Sequence, residues 1–419
     1  MNYSENLTML NYTENRTMIN YNANLTLIGS TEIMSTEVWN LTNGSAESNC
    51  PNFMASNSSA KTALEEFSVH YARVHGYISV FVCLFGMLAN TANIVVLTRK
   101  KMITSTNYIL TWLAVADLFT MLDYFPFAIH FYILKDPMLP FPMTKGYGWV
   151  CFLMFHASFS IVCHTIAIWL TIELAIFRFI FIWFPTKGAL YCNQQKAKRA
   201  VLCVILYTII ICIPNYMSNE ITTYDCGGNR EAIYSLEVRK DGVFATINSV
   251  NYWTQALLIK LVPCIMLTLL TLLLITAMHR AYKRRMALKN QGKKDDSDKH
   301  NEHNRTTLML LAVVVLFLIT ELPQGVLTIL SSSIEGFFES VYMPLGDLLD
   351  IVALCNNAIN FVLYCGMSTQ FRKTFIEVFC SCIPERRPGW RKLGVVTAEK
   401  NGCTPTTTNT SLSTTTTKL

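Results

Sequence analysis

The stretch LFLITELPQGVL, residues 316–327, decides what kind of fold this chain has. It lies in an apolar run, residues 308–330, which is long enough to cross a bilayer, yet it contains Glu321, Pro323 and Gln324. A charged side chain at the centre of a bilayer costs roughly 2.5–3.5 kcal/mol, so it has to face protein or water instead of lipid. The stretch therefore predicts one helix of a membrane bundle with a polar interior.

The composition of the whole chain agrees with this interpretation. Of 419 residues, 52% are hydrophobic and only 15% are charged, whereas soluble proteins carry about 25% charged residues. Seven stretches reach or approach the length of a spanning helix, at residues 77–97, 108–132, 150–182, 200–216, 252–278, 308–330 and 341–364. The predicted fold class is an all-α membrane protein with a seven-transmembrane helix bundle.

Basic residues predict the orientation of this bundle. They crowd the connections at 99–101, 187–199 and 280–305 and the tail after Arg372, whereas residues 1–60 hold a single arginine and no lysine. By the positive-inside rule, the amino terminus is extracellular and the carboxyl terminus is cytoplasmic. The net charge of +6 then belongs to the cytoplasmic face of a multi-pass plasma-membrane protein, and no nucleic-acid partner is needed to explain it.

The two ends of the chain carry modification signals. Eight N-x-S/T sequons predict a glycosylated, disordered extracellular segment over residues 1–72, with acceptors at Asn2, Asn6, Asn11, Asn15, Asn24, Asn40, Asn43 and Asn57. No hydrophobic signal region precedes it, so no cleaved signal peptide is expected. The bundle is assigned to residues 73–366, an amphipathic juxtamembrane helix to 367–382 with palmitoylation candidates Cys380 and Cys382, and a disordered cytoplasmic tail to 383–419.

Three of the 14 cysteines fall in predicted extracellular positions. Cys151 at the mouth of the third span and Cys226 in the second outer loop are able to form a disulfide in that oxidising compartment. Cys50 is left over, either as a free thiol or paired elsewhere.

Polar residues inside the spans carry a family resemblance. Asn90 stands in ANTANIVVL, Asp117 in LAVADL, Arg178 in AIFRF seven residues before Pro185, and Asn360 in NFVLY. With Cys151, Pro263 and Pro323, this ordered set resembles the rhodopsin-like (class A) G-protein-coupled receptors over residues 76–379. The resemblance implies an activation and G-protein-coupling set of Asn90, Asp117, Arg178, Pro185, Pro263, Phe317, Pro323, Asn356, Asn360 and Tyr364. It also implies a sodium site near Asp117, weakened by Ala167, which replaces a hydroxyl ligand.

Departures from the family pattern narrow the resemblance. Phe177 stands where the family has the acid that restrains the arginine, Glu321 replaces a tryptophan, and Phe361 replaces the seventh-span proline. The stretches TNYILTWLAVADLFTMLDYF, ITELPQG and NFVLYCGMSTQFRKTF are similar to those of invertebrate myosuppressin receptors and receptors for FMRFamide-like peptides. This similarity implies a short peptide ligand ending in Arg-Phe-amide and coupling to Gi/o. Its further implied partners are arrestin, recruited to the Thr/Ser tail, and membrane lipid.

In the receptor fold, the glutamate of the opening stretch is expected to have an ion-pair partner. Lys260, three residues before Pro263 on the fifth span, approaches the position of Glu321 on the sixth, and His164 on the third is expected nearby. We expect an ion pair at the base of the ligand cavity, and Gln324 belongs to the same predicted ligand-binding set. The alternative is a purely structural bridge, because buried pairs need not signal function.

The arginine of an Arg-Phe-amide peptide requires a carboxylate in a partly desolvated site. Asp123, Asp347 and Asp350 are the candidates in the outer half of the bundle, with solvated helix-end carboxylates as the alternative. Aromatic side chains are candidates to receive the phenylalanine amide, with lipid or core packing as the alternative for each: Tyr124, Phe127, His130 and Phe131.

Two other classes of membrane protein are alternatives. A transporter or channel more often shows broken helices in matched halves. An intramembrane hydrolase requires a nucleophile and a base. No HExxH motif or Ser/His arrangement supports an enzyme. Within the receptor class, the alternative ligand is a larger protein or a non-amidated peptide. The expected mechanism is a population shift in which the sixth helix, broken at Pro323, swings outward at its cytoplasmic half.

Overall fold

The computed structural model describes residues 62–135, 139, 141–184, 187–224, 232–239, 242–289, 296–334 and 336–379. Several predicted positions lie outside these residues: the eight sequons, Cys50, Pro185, Cys226, Cys380, Cys382 and the Thr/Ser tail. The side chain of Phe317 is likewise outside the description, although its backbone is helical.

The described residues contain seven helices long and apolar enough to cross a membrane, which confirms the predicted fold class. The first four are α1 (Ala63–Leu97), α2 (Ser105–Ile133), α3 (Tyr147–Trp183) and α4 (Gln194–Ser218). The next three are α5 (Gly242–Arg284, continuing helical to Lys289), α6 (Asp296–Ser333, apolar over Val314–Ser331) and α7 (Ser340–Met367). A short helix, α8 (Thr369–Phe379), follows directly, close to the predicted amphipathic helix.

Helix α1 begins well before the hydropathy signal does. Its first turn is closed by a capping box, in which the Thr62 side chain accepts from the Glu65 backbone and the Glu65 carboxylate accepts from the Thr62 backbone. Residues 63–72, which the sequence assigned to the disordered amino-terminal segment, are therefore helical. Hydropathy did not find them because they include two glutamates and a histidine, whereas capping acts whatever the polarity of the helix.

Three of the spans contain π-helical segments. They cover Ile129–Ile133 at the end of α2, Thr254–Leu261 in α5 and Phe338–Tyr342 at the start of α7. Such segments are rare in proteins as a whole, but where they do occur they often lie at functional sites. The sequence does not predict these segments, because in a span that is apolar on all sides a change of helical period does not alter the hydropathy pattern.

A β-hairpin joins α4 to α5 and was not predicted. Strand β1 (Asn219–Tyr224) pairs antiparallel with β2 (Ile233–Val238), so that Asn219 faces Val238 and Tyr224 faces Ile233. The Tyr224 hydroxyl donates to Glu237, and burial together with this carboxylate raises the pKa of Tyr224. A bridge from Thr144 to Tyr234 ties the hairpin to the α2–α3 connection, and we call this end of the bundle the hairpin end.

The opposite end carries α8. Phe371 of α8 is almost fully buried against Tyr364 and Phe361 of α7, and Lys101 forms an exposed ion pair with Glu377 at 3.0 Å. Aromatic packing, more than the exposed ion pair, therefore fixes α8 to the bundle.

Candidate functional site

A buried polar cluster joins α3, α5 and α6 in the position that the sequence predicted. Lys260 Nζ lies 3.2 Å from Glu321 Oε2, 2.7 Å from Gln324 Oε1 and 3.1 Å from His164 Nε2. Lys260 and Glu321 are 3% and 2% exposed. The predicted pairing of Lys260 with Glu321 is thus confirmed in the structure, and His164 and Gln324 complete it.

The number of donors on Lys260 matches the polar atoms around it. An ammonium group has three N–H donors, and three side-chain atoms lie within reach of Lys260, one each on Glu321, Gln324 and His164. His164 Nε2 also lies 3.2 Å from Glu321 Oε2, so the imidazole contacts both members of the ion pair. The cluster thus sets one lysine against one carboxylate, and a buried site tolerates charges that are paired in this way.

A second acidic residue, Asp123, lies at the hairpin end and faces α3. Its Oδ2 is 2.6 Å from His156 Nδ1, and the side chains of both residues are at most 2% exposed. His156 also stacks on Phe127 with ring centroids 4.2 Å apart. Oδ2 of Asp123 is thus already bonded inside the protein, whereas its Oδ1 is buried and has no hydrogen-bond partner among the described residues.

Asp350 and Asp347 of α7 face tyrosines of α2. The Tyr124 hydroxyl donates to Asp350 Oδ2 at 3.2 Å, and the Tyr132 hydroxyl donates to Asp347 Oδ1 at 2.8 Å. Within the described part of the chain, no lysine, arginine or histidine nitrogen lies within 4.0 Å of Asp350. Asp350 is therefore a buried carboxylate that lacks an ion-pair partner, which is a costly state for an anion.

Helix α1 extends this hydrogen-bonded group. His75 Nε2 lies 3.0 Å from the Tyr124 hydroxyl and 3.2 Å from Ser79 Oγ, and the His75 ring packs 4.6 Å from that of Tyr132. The Tyr124 hydroxyl thus connects His75 of α1 to Asp350 of α7. We call Asp347, Asp350 and the tyrosines Tyr124 and Tyr132 the acidic site.

The aromatic side chains that the sequence predicted to bind the ligand fall into two groups. Phe127 is fully buried and Tyr124 nearly so, both within the apolar core of the hairpin end. His130 instead stacks on Trp149 with centroids 3.7 Å apart, beside a cavity of about 210 Å³ that Phe131 and Phe141 also line. This cavity at the end of α2 is where an aromatic side chain has room to enter.

An inner polar network joins α1, α2 and α7. Asn360 Nδ2 donates to Asp117 Oδ2 at 2.9 Å, and Asn90 Nδ2 donates to the Asn357 carbonyl at 3.0 Å. Asn356 and Tyr364 are buried on the same helix, α7. The structure brings together the family residues that the sequence singled out for helix rearrangement.

Two oxygens near the implied sodium site already accept hydrogen bonds from side-chain amides. Hard cations require several oxygen ligands, but Asp117 Oδ2 receives an amide N–H from Asn360 and the Asn90 Oδ1 receives one from Asn93 at 3.4 Å. Ala167, buried on α3, adds no oxygen. We therefore assign no role to sodium.

Arg178 lies buried near the α8 end of α3. Its Nε has no hydrogen-bond partner and, within the described residues, no carboxylate lies within 4.0 Å of its guanidinium. Phe177 beside it packs into the apolar core. Pro263 is the second residue of the last segment of α5, Val262–Lys289, whereas Pro323 lies inside α6 with an exposed side chain.

Sequence reasoning missed the histidines that complete the hairpin end. His75 and His156 are both 0% exposed, and each bonds to a residue on another helix. Their only signal is a polar residue in an apolar span, which also fits ordinary packing.

Three comparisons place this arrangement among known proteins. Residues 77–382 match the family described as "Serpentine type 7TM GPCR chemoreceptor Srw". The chain is 29% identical to the G-protein coupled receptor dmsr-1 of Caenorhabditis elegans, over 74% of this chain and 68% of that protein. It is also 29% identical to the sex peptide receptor of Drosophila melanogaster, over 80% of this chain and 78% of that protein.

A more distant relative and a solved structure complete the comparison. The FMRFamide receptor of Drosophila melanogaster is 22% identical over 73% of this chain and 54% of its own length. Squid rhodopsin matches with a TM-score of 0.58 at 16% identity, covering 78% of this chain and 89% of that one, which establishes the shared fold.

Proposed function

Because this chain belongs to the Srw family of serpentine seven-transmembrane G-protein-coupled receptors, we propose that it is the receptor for a short amidated peptide of the Arg-Phe-amide type, signalling through a Gi/o protein. Membership of this family makes the chain a membrane receptor and not an enzyme, a transporter or a hydrolase. Its relatives include the sex peptide receptor and the FMRFamide receptor of Drosophila melanogaster, which supports a neuropeptide ligand.

One observation carries the proposed ligand chemistry: Asp350 is buried without an ion-pair partner in the described chain. A guanidinium from the ligand would supply the missing counter-charge and form charge-assisted hydrogen bonds in a desolvated place. Asp347, one turn away on α7, adds a second carboxylate. Asp123 remains a third candidate, but its Oδ2 already bonds to His156.

The aromatic end of the ligand has a separate place. The cavity beside His130 and Trp149 is lined by Phe131 and Phe141, and a phenylalanine ring fits such a wall by edge and face contacts. The stacked His130–Trp149 pair adds a flat aromatic surface to the lining of this cavity.

The proposed mechanism is a shift between two bundle arrangements. The ligand binds one arrangement more tightly, and the cluster of Lys260, Glu321, Gln324 and His164 changes its contacts between α5 and α6 as the population moves. Helix α6 then swings its α8-end half outward about Pro323 and opens a cleft beside Arg178 for a G-protein helix. The proposal includes five further features. They are an extracellular amino terminus, glycosylation of its sequons, the Cys151–Cys226 disulfide, contact of α8 with lipid, and recruitment of arrestin by the Thr/Ser tail.

A peptide panel tests the ligand class. Cells that express the chain are exposed to Arg-Phe-amide peptides, to the same sequences as free acids, and to peptides with alanine in place of the arginine. The amidated peptides are expected to lower cAMP in a pertussis-toxin-sensitive way, and the other two series to require at least about tenfold higher concentration, which corresponds to 1.4 kcal/mol. Equal potency of all three series would contradict the proposed ligand, and an effect that resists the toxin would contradict the proposed G protein.

A further inference from the structure

Three buried amides form a cluster where α3, α4 and α5 meet. Asn215 Oδ1 accepts from Asn251 Nδ2 at 3.3 Å and from Gln255 Nε2 at 3.0 Å, and Gln255 Nε2 also lies 3.3 Å from Asn251 Oδ1. Asn215 Nδ2 donates to the Ala157 carbonyl of α3 at 3.4 Å. The three side chains belong to residues that are 2%, 1% and 8% exposed, and none of the established family features accounts for them.

The amide cluster spans the start of the π-helical segment in α5. Asn251 belongs to the regular helix Gly242–Trp253, whereas Gln255 belongs to the π-helical residues Thr254–Leu261. One partner, Asn215, holds both sides of this junction. Its bonds therefore fix the direction in which the π-helical segment leaves the regular helix.

The π-helical period brings Lys260 to the same face as Gln255. In an α-helix, residues five apart differ by about 140° around the axis, so Lys260 would turn away from the face that holds Gln255. In a π-helix, hydrogen bonds join residues five apart, as they join residues four apart in an α-helix, so the two residues fall on the same face. Both are buried here, together with Ala256 and Ile259.

The other end of the segment is fixed by Lys260 itself. Its ammonium bonds to Glu321 and Gln324 on α6 and to His164 on α3. Pro263, two residues after the segment, has no N–H to continue the backbone hydrogen bonding of the wider helix. The segment is thus held between an amide cluster at one end and an ion pair with a proline at the other.

We propose that Asn215, Asn251 and Gln255 are positioning residues, which hold α5 in its π-helical register and so place Lys260 against Glu321. The proposal shares one assumption with the proposed function, namely that the Lys260 cluster controls the active state of the receptor. The amides touch no ligand in this account; they act through Lys260.

A variant cycle in cells tests the proposal without any ligand. The variants are Gln255→Met, which keeps the length of the side chain and removes the amide, Lys260→Met, and the two combined. The readout is basal G-protein activation at matched surface level, so a failed search for the peptide leaves the test intact. Both single variants are expected to change basal activation in the same direction by at least about fivefold, the lower range of coupling between sites. The combined variant is expected to match Lys260→Met alone.

Two further variants distinguish a specific effect of the amide cluster from a general folding defect. Asn215→Leu removes the shared acceptor and is expected to reproduce Gln255→Met. Asn248→Leu is the matched control, because Asn248 is a buried amide of the same helix that bonds to the Arg239 carbonyl at 2.7 Å and not to the cluster; it is expected to keep wild-type activation. The proposal is overturned if effects of Gln255→Met and Lys260→Met multiply in the combined variant, if Gln255→Met behaves as wild type, or if Lys260→Met leaves basal activation unchanged.

Discussion

Lys260 of α5 lies 3.2 Å from Glu321 of α6, and both side chains are almost completely buried. The pair occupies the place where the wider receptor family has a tryptophan, according to the sequence resemblance. An ion pair therefore links α5 and α6, the two helices whose contacts change in the proposed mechanism.

Removing either partner of this pair should be much worse than removing both charges. Lys260→Met or Glu321→Gln leaves one buried charge without its counter-charge, and breaking such a pair costs about 3–5 kcal/mol. The double variant contains neither charge and is expected to recover most of the thermal half-life of the purified receptor. Losses that simply add in the double variant would show that the two side chains do not interact energetically.

Asp123 and His156 should behave as a structural pair. With the two atoms 2.6 Å apart and both side chains buried, Asp123→Ala and His156→Ala are each expected to lower the thermal half-life, with little further loss when combined. Ligand potency at matched surface level should change less for Asp123→Ala than for Asp350→Asn. If instead Asp123→Ala lowers potency more than Asp350→Asn does while the half-life is kept, Asp123 is the ligand's carboxylate.

Restoring an acid before Arg178 should lower the basal activity. Arg178 has no carboxylate within 4.0 Å in the described chain, and the neighbouring Phe177 stands where the family has its restraining acid. Phe177→Asp offers the guanidinium an ion-pair partner that favours the inactive arrangement. The control is Phe177→Asn, which has nearly the same shape without the charge. Basal nucleotide exchange on the G protein measures the effect, and equal rates for the two variants would refute the charge explanation.

The packing of α8 should matter more than its ion pair. Phe371 is 1% exposed and lies between Phe361 and Tyr364, so Phe371→Ala creates a cavity that costs about 3–5 kcal/mol. The same change at Phe379, which is 49% exposed, is the control. Lys101→Ala removes only an exposed pair, for which less than about 1 kcal/mol is expected. Thermal denaturation of the three variants orders them, and a larger effect of Lys101→Ala than of Phe371→Ala would contradict the account.

Much of the fold was accessible from the sequence because spanning helices obey one strong rule. Each span must satisfy its backbone internally and present apolar side chains to lipid, so hydropathy located all seven. The same cost argument found Lys260 and Glu321, since each charge inside the bilayer requires a partner. These two predictions rest on single-residue energetics and need no knowledge of exact geometry.

Other features depend on details that hydropathy does not carry. His156 and Asp123 lie 33 residues apart on different helices, and a histidine in an apolar span looks the same whether it packs or bonds to an acid. The hairpin β1–β2 is short and polar enough to resemble a loop. The π-helical register of Thr254–Leu261 depends on the amide contacts at its start, which only the folded bundle brings together.

A ligand-and-receptor cycle tests the central claim, that Asp350 receives the guanidinium of a peptide ligand. The potency of an active Arg-Phe-amide peptide is compared with that of the same peptide carrying citrulline, a neutral analogue of arginine, on the wild-type receptor and on Asp350→Asn. The account predicts that citrulline weakens the peptide at least about tenfold on the wild type and has almost no effect on Asp350→Asn, because the charge it removes has already lost its partner. An equal loss on both receptors would contradict it.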